Sequence, residues 1–221
     1  MPAGDISKTL MSRVRSRVGQ RTQQGILDVH LYLFLNRAQQ DLMWRLHDAA
    51  MPEMTDIAAG TLTNSRVGLP ADFMRERLCL VGSGTVQARR IGLTDLDSLT
   101  RDTLMAASAD NPYYYIWENA TDNAKRLHLE IGAPTSTAAY QLYYIKQPTD
   151  MDDLTDPILG SDKYNLLVDF AVKRVREMQG EYEEAGGIWK QYVGGIGKIN
   201  SRYMMQGARQ EREPGTRREV S

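Results

Sequence analysis

The chain has 221 residues, a formal net charge of −1, one cysteine, eleven tyrosines, eleven methionines and three phenylalanines. This near-neutral balance gives no whole-chain case for nucleic acid or a membrane surface, and a lone Cys79 excludes an intrachain disulfide and a cysteine-based zinc site. No apolar run approaches the 18 or so residues of a membrane-spanning helix, and the first ten residues lack a signal-peptide core, so a soluble protein made in a cytosol is expected.

Residues 1–23 read as a basic N-terminal arm or short helix. Lys8, Arg13, Arg15, Arg17 and Arg21 stand against Asp5, while Leu10, Val14 and Val18 recur every four residues. Such a segment is either a solvated first helix or an arm that grips an acidic neighbour or a DNA backbone. Residues 24–50 predict a long amphipathic helix. Ile26, Val29, Leu33, Leu35, Leu42 and Leu46 lie on its apolar side, and Met51-Pro52 ends it.

The period then changes. Val67 and Leu69, among the turn residues Gly60, Asn64 and Gly68, predict a short hairpin or paired strands. A second hairpin is expected from 73–81 and 86–91 around Gly82-Ser83-Gly84, which lacks the Gly-Lys-Ser/Thr of a phosphate loop. Leu96–Met105 reads as a helix. Segments 112–117, 127–131 and 140–145 read as an antiparallel meander. The run Asp150-Met151-Asp152-Asp153-Leu154-Thr155-Asp156 fails the EF-hand order at its fifth, sixth and twelfth positions, so it is expected to be an acidic surface loop.

Residues 162–206 carry apolar positions at steps of three and four, including Leu166, Phe170, Val175, Met178, Tyr182, Trp189, Tyr192 and Ile196. This predicts the second long helix, with a break near Gly186-Gly187 or Gly194-Gly195 because interior glycines cost about 1 kcal/mol each. Phe170, Tyr182 and Trp189 are expected to pack against Leu33 and Leu42 of the first long helix. Residues 207–221 have almost no apolar side chain and predict a flexible tail. The expected fold is therefore α+β. It is a helical bundle built on two long helices, about 24–50 and 162–206, with an antiparallel hairpin and meander inserted between them and extended termini. Residues 24–206 would make one domain.

No catalytic pattern stands out. His30, His47 and His128 lack ligand spacing, and neither H-E-x-x-H nor G-x-S-x-G occurs. No cofactor, metal or enzymatic activity is expected.

The order of features resembles the head-to-tail adaptor (connector) proteins of tailed bacteriophages. The residues that carry the resemblance are the helix LNRAQQDLMWRL at 35–46, then Leu69-Pro70-Ala71-Asp72-Phe73, then Asn111-Pro112-Tyr113-Tyr114-Tyr115. They continue with Leu127–Ile131, the tyrosine-rich strand 140–145, and the helix opening Asp162-Lys163-Tyr164-Asn165-Leu166-Leu167-Val168, with Trp189 further on. The likeness spans about residues 24–193. It implies a structural virion protein of the neck, forming a homo-oligomeric ring, commonly a dodecamer. That ring would dock under the portal protein, extend the DNA channel and offer a surface to tail or nozzle proteins. Double-stranded DNA would pass through without tight or sequence-specific binding. Proteins of this kind often dock on the portal through their C-terminal segment; residues after 194 are not matched, and docking of this tail on the portal through Arg209, Arg212, Arg217 and Arg218 is expected from its own arginines. A different reading of the residues alone is a small nucleic-acid-binding or regulatory protein that uses the basic arm.

Overall fold

The computed structural model describes residues 4–19, 26–82, 86–95, 106–118, 125–130 and 138–210. The chain divides into two compact units. One is helical and comprises residues 1–54 with 148–221; the other is built of strands and comprises residues 55–147. The fold is α+β. Among the described residues there are four α-helices and two four-stranded sheets, in place of two long helices around one hairpin and meander.

In the helical unit, helix α1 spans Asp5–Arg17 and α2 spans Asp28–Arg45. The first buries Leu10, Met11 and Val14; the second buries Leu31, Phe34, Leu35, Ala38, Leu42 and Met43 at the three- and four-residue steps of one helical face. Helix α3, Tyr164–Met178, packs against both and against the fourth helix, so it forms the centre of the unit. Its Leu166, Leu167, Val168, Phe170, Ala171, Val172 and Val175 are all buried. Helix α4 runs from Tyr182 to Gln210, which at ~1.5 Å per residue makes it roughly 43 Å long.

The break in the 162–206 segment falls at Gly180, not at either expected glycine pair. Gly180 has φ +81. Its N–H donates to Glu177 O at 3.1 Å and the Glu181 N–H donates to Arg176 O at 2.9 Å, the paired bonds of a Schellman terminus. Arg176 also ion-pairs with Glu181 and Glu184 across the turn. Gly186, Gly187 and Gly194 remain helical, and a Cβ added to any of them would meet nothing within 4 Å. A glycine ends a helix where a left-handed residue is needed, and Gly180 meets that need.

The strand unit has strands β1 Thr55–Thr61, β2 Arg66–Gly68, β3 Phe73–Val81, β4 Val86–Gln87, β5 Arg89–Arg90, β6 Tyr113–Glu118, β7 Lys125–Glu130 and β8 Ala139–Lys146. One sheet has the order β1-β8-β3-β4 and the other β2-β7-β6-β5. The hairpin of β3 and β4 forms but is shorter than expected: Val86 and Gln87 pair with β3, whereas Arg89 and Arg90 of the expected 86–91 strand pair in parallel with β6 in the other sheet; β6 pairs antiparallel with β7. The third strand of the expected meander, β8, instead enters the first sheet between β1 and β3. The segments on either side of Asn64 meet each other at the single bridge Thr63–Arg66, and β1 and β2 then pair with β8 and β7. The two sheets share one core of Leu62, Phe73, Cys79, Tyr114, Leu127, Leu142 and Tyr144. The chain crosses between them at Ala88, whose N–H donates to Cys79 O on one side while Arg89 N–H donates to Pro112 O on the other. The helix expected at Leu96–Met105 lies outside the described residues.

Candidate functional site

The basic arm is spent largely on the chain itself. Arg13 donates to the Asn165 side chain, Arg15 pairs with Asp28, and Arg17 pairs with Asp169. These contacts hold α1 to α2 and α3 and leave Lys8 exposed; Arg21 lies outside the described residues. Asp156 caps α1 from a distance. Its Oδ1 accepts from the N–H groups of Ile6 and Ser7 at 2.9 and 3.0 Å, placing a carboxylate at the positive end of the helix.

That carboxylate belongs to the acidic loop 150–156, which is held at several points. The Asn36 side chain donates to Met151 O at 3.1 Å and accepts from Met151 N at 2.7 Å. Gln39 Nε2 donates to Thr149 O, Ser7 Oγ donates to Asp152 O, and the Tyr32 hydroxyl donates to Asp153 Oδ1 at 2.8 Å. Burial, together with the bond to Asp153, pushes the Tyr32 phenol up to about 12. Among the described residues no group of three His, Cys, Asp or Glu is placed to hold a metal ion. His47 accepts from the Ala49 N–H through Nδ1, and the side chain of His128 lies outside the described residues.

Close in the chain to this loop lies an ion pair made by a buried lysine. Lys163 is 1 % exposed, and its Nζ lies 2.8 Å from Glu53 Oε1 and 3.0 Å from Asp162 Oδ1. Glu53 Oε1 also accepts from the Gly160 N–H at 2.7 Å. Burial opposes the charge on both groups, but their mutual contact outweighs it. Glu53 is held below the usual carboxylate range and Lys163 above the usual lysine range.

The residues expected to join the long helices divide. Leu42 and Phe170 are buried, and Trp189 is half-buried. Trp189 stacks on Tyr192 at 5.2 Å and meets the edge of Phe170 at 6.5 Å, with Arg45 and Lys173 each 5.1 Å from its ring centre. Leu33 is 44 % exposed and Tyr182 71 % exposed, outside the core they were expected to join. The reason is phase: Leu31, Leu35, Ala38 and Leu42 turn the buried face of α2 away from Leu33, and Tyr182 is the first residue after the Gly180 turn. Arg209 falls in the last turn of α4. Its side chain, with Arg212, Arg217 and Arg218, lies outside the described residues.

Sequence reasoning missed the exposed apolar faces. Helix α2 turns Val29, Leu33 and Trp44 outward, with Leu27 just before its first turn; Trp44 is 67 % exposed. Helix α4 turns Val193 and Met204 outward among the glycines at 186, 194 and 197. Large apolar side chains gathered on solvent faces mark surfaces that another protein covers. The signal was present in the excess of apolar positions on 24–50 over what one face can bury.

A model of the SU10 adaptor protein family matches residues 7–218 of this chain. No curated protein matches it.

Proposed function

The chain belongs to the SU10 adaptor protein family, and on that footing we propose that it is the head-to-tail adaptor of a tailed phage. In this reading it is a structural virion protein of the neck. Copies form a ring, commonly of twelve, beneath the portal; the ring extends the DNA channel and presents a docking surface to tail or nozzle proteins. The C-terminal segment, through Arg209, Arg212, Arg217 and Arg218, docks on the portal, since a guanidinium fork suits carboxylates and backbone carbonyls.

The observation that carries the ring is the pair of unlike exposed faces on the helical unit. One is the apolar face of α2 with Trp44, the other the glycine-lined face of α4. A closed ring needs two different surfaces on each subunit. The basic arm does not favour a nucleic-acid function, because Arg15 and Arg17 are neutralised within the chain. Negative-stain microscopy of the concentrated full-length protein, alone and with portal-bearing heads, tests this reading. Rings with a central hole are expected. A protein that stays monomeric and leaves the heads bare would overturn it.

A further inference from the structure

The acidic loop holds an exposed leucine in a fixed position. Leu154 is 74 % exposed, yet the loop around it is tied down at Met151, Asp152 and Asp153 by side chains of α1 and α2, and at Asp156 by the backbone N–H groups that open α1. Leu154 N–H donates to Asp152 Oδ1 at 2.8 Å, which fixes the tip itself. Asp150, Asp152 and Asp153 are exposed around it. A leucine held open to water by this many bonds gains nothing for its own unit. A preorganised apolar tip ringed by carboxylates is what a binding contact requires, because little ordering cost is left at association.

The strand unit contains a complementary hollow of about 380 Å³ between β3, β4–β5 and β6. It is lined by Leu78, Ala88 and the buried Tyr114 together with Gln87, Arg77, Arg89 and Arg90. Arg77 Nη1 is fixed by a 2.8 Å bond to Thr55 Oγ1, and Arg90 is fixed by Glu76. Arg89 is exposed and has no ion-pair partner among the described residues. With Arg90 balanced by Glu76, Arg77 and Arg89 leave the lining of the hollow positively charged beside Leu78, Ala88 and Tyr114, and this complements in charge an apolar tip among three carboxylates.

We propose that Leu154 and the carboxylates beside it, on one subunit, seat in the arginine-lined hollow of the strand unit of a neighbouring copy. The contact is heterologous, loop to hollow, and so propagates around a ring as a self-complementary patch would not. This inference rests on the ring reading of the preceding subsection.

The test is cross-linking of the full-length protein carrying Leu154→Cys and Gln87→Cys, treated with a short bis-maleimide at high protein concentration. Gln87 lines the hollow and is exposed; Cys79 is buried, and each single variant controls for it. A ladder of covalent oligomers in the double variant alone is expected. Rings under the microscope without a ladder overturn this contact and leave the ring standing. Monomers without a ladder overturn both. A second arm uses Leu154→Asp and Arg89→Glu, which change exposed side chains and are expected to keep the melting temperature. Each should weaken self-association about tenfold or more, and Asp150→Lys should recover part of the Arg89→Glu loss. Unchanged association in Leu154→Asp overturns the proposal.

Discussion

The hydroxyl of Tyr192 on α4 donates to Asp41 Oδ2 on α2 over 2.6 Å, and the same oxygen accepts from Arg45 Nε at 2.7 Å. Tyr192 is fully buried, and burial together with Asp41 raises its phenol far above the ordinary range, so it remains a donor at any working pH. Tyr192→Phe keeps the ring and removes the donor. A loss of about 1.5–3 kcal/mol in denaturant melts is expected, the size of a hydrogen bond to a charged group. A loss near zero would mean that the two helices do not depend on this bond.

Trp189 closes the same cluster from its half-exposed side. Trp189→Ala should cost about 2 kcal/mol, less than a fully buried tryptophan, because part of the ring already faces water. The neighbouring Arg45 and Lys173 add a cation–π share of about 0.5–1 kcal/mol. Comparing Trp189→Ala with Trp189→Leu in urea melts separates lost area from lost ring chemistry. Equal losses in the two would argue against the cation contacts.

Two glycines should respond in opposite directions. Gly4 has φ +82, and an added Cβ would lie 2.0 Å from the Asp153 carbonyl oxygen. Gly4→Ala is expected to cost more than about 2 kcal/mol, since the left-handed conformation alone costs 1–2 and the backbone must also move. Gly186 is helical with open space around it, so Gly186→Ala should gain up to about 1 kcal/mol in the isolated subunit. Thermal melts of the two variants at a concentration that keeps the chain monomeric are the check.

The partly buried Glu53–Lys163 pair makes stability depend on pH at both ends. Glu53 has a lowered folded pKa, so its contribution is full above the ordinary carboxylate range and is lost as pH falls through that folded value. Lys163 has a raised folded pKa. Its contribution is full below the ordinary lysine value and is lost as pH rises through the folded value. Glu53→Gln should cost about 2 kcal/mol at neutral pH, moderated because Asp162 still faces the ammonium. It should also flatten the acid limb of a melting-temperature profile. An acid limb of unchanged slope would assign the dependence to other carboxylates.

The C-terminal segment is testable by truncation. Helix α4 continues to Gln210, so a chain ending there keeps every described element. Its melting temperature should match that of the full chain, while attachment to portal-bearing, DNA-filled heads should be lost. Attachment at the full-chain level would move the docking role to another surface.

Where a stretch's own side chains decide its structure, the sequence was enough. Spacing put Val29 and Leu33 on the inner side of the 24–50 helix, where the structure buries Leu31 and Phe34 instead, but the helix itself, the stripe through Leu166, Phe170 and Val175, and the first pairs of the β3–β4 hairpin follow from spacing within each segment. So does the adaptor resemblance, which rests on short motifs in order. Partnership between distant segments was not local information. Strand β8 alternates as well as β7 does, yet it pairs with β1 and β3, because a strand's partner depends on which edges the rest of the chain leaves open. The helix break fell to Gly180 among six glycines between residues 180 and 197, because it alone of them is held at positive φ. The aspartates at 152, 153 and 156 read as a solvated acidic run. Only the folded chain brings Ser7, Tyr32 and the N-terminus of α1 to them, across more than a hundred residues, and so converts the loop into a fixed surface.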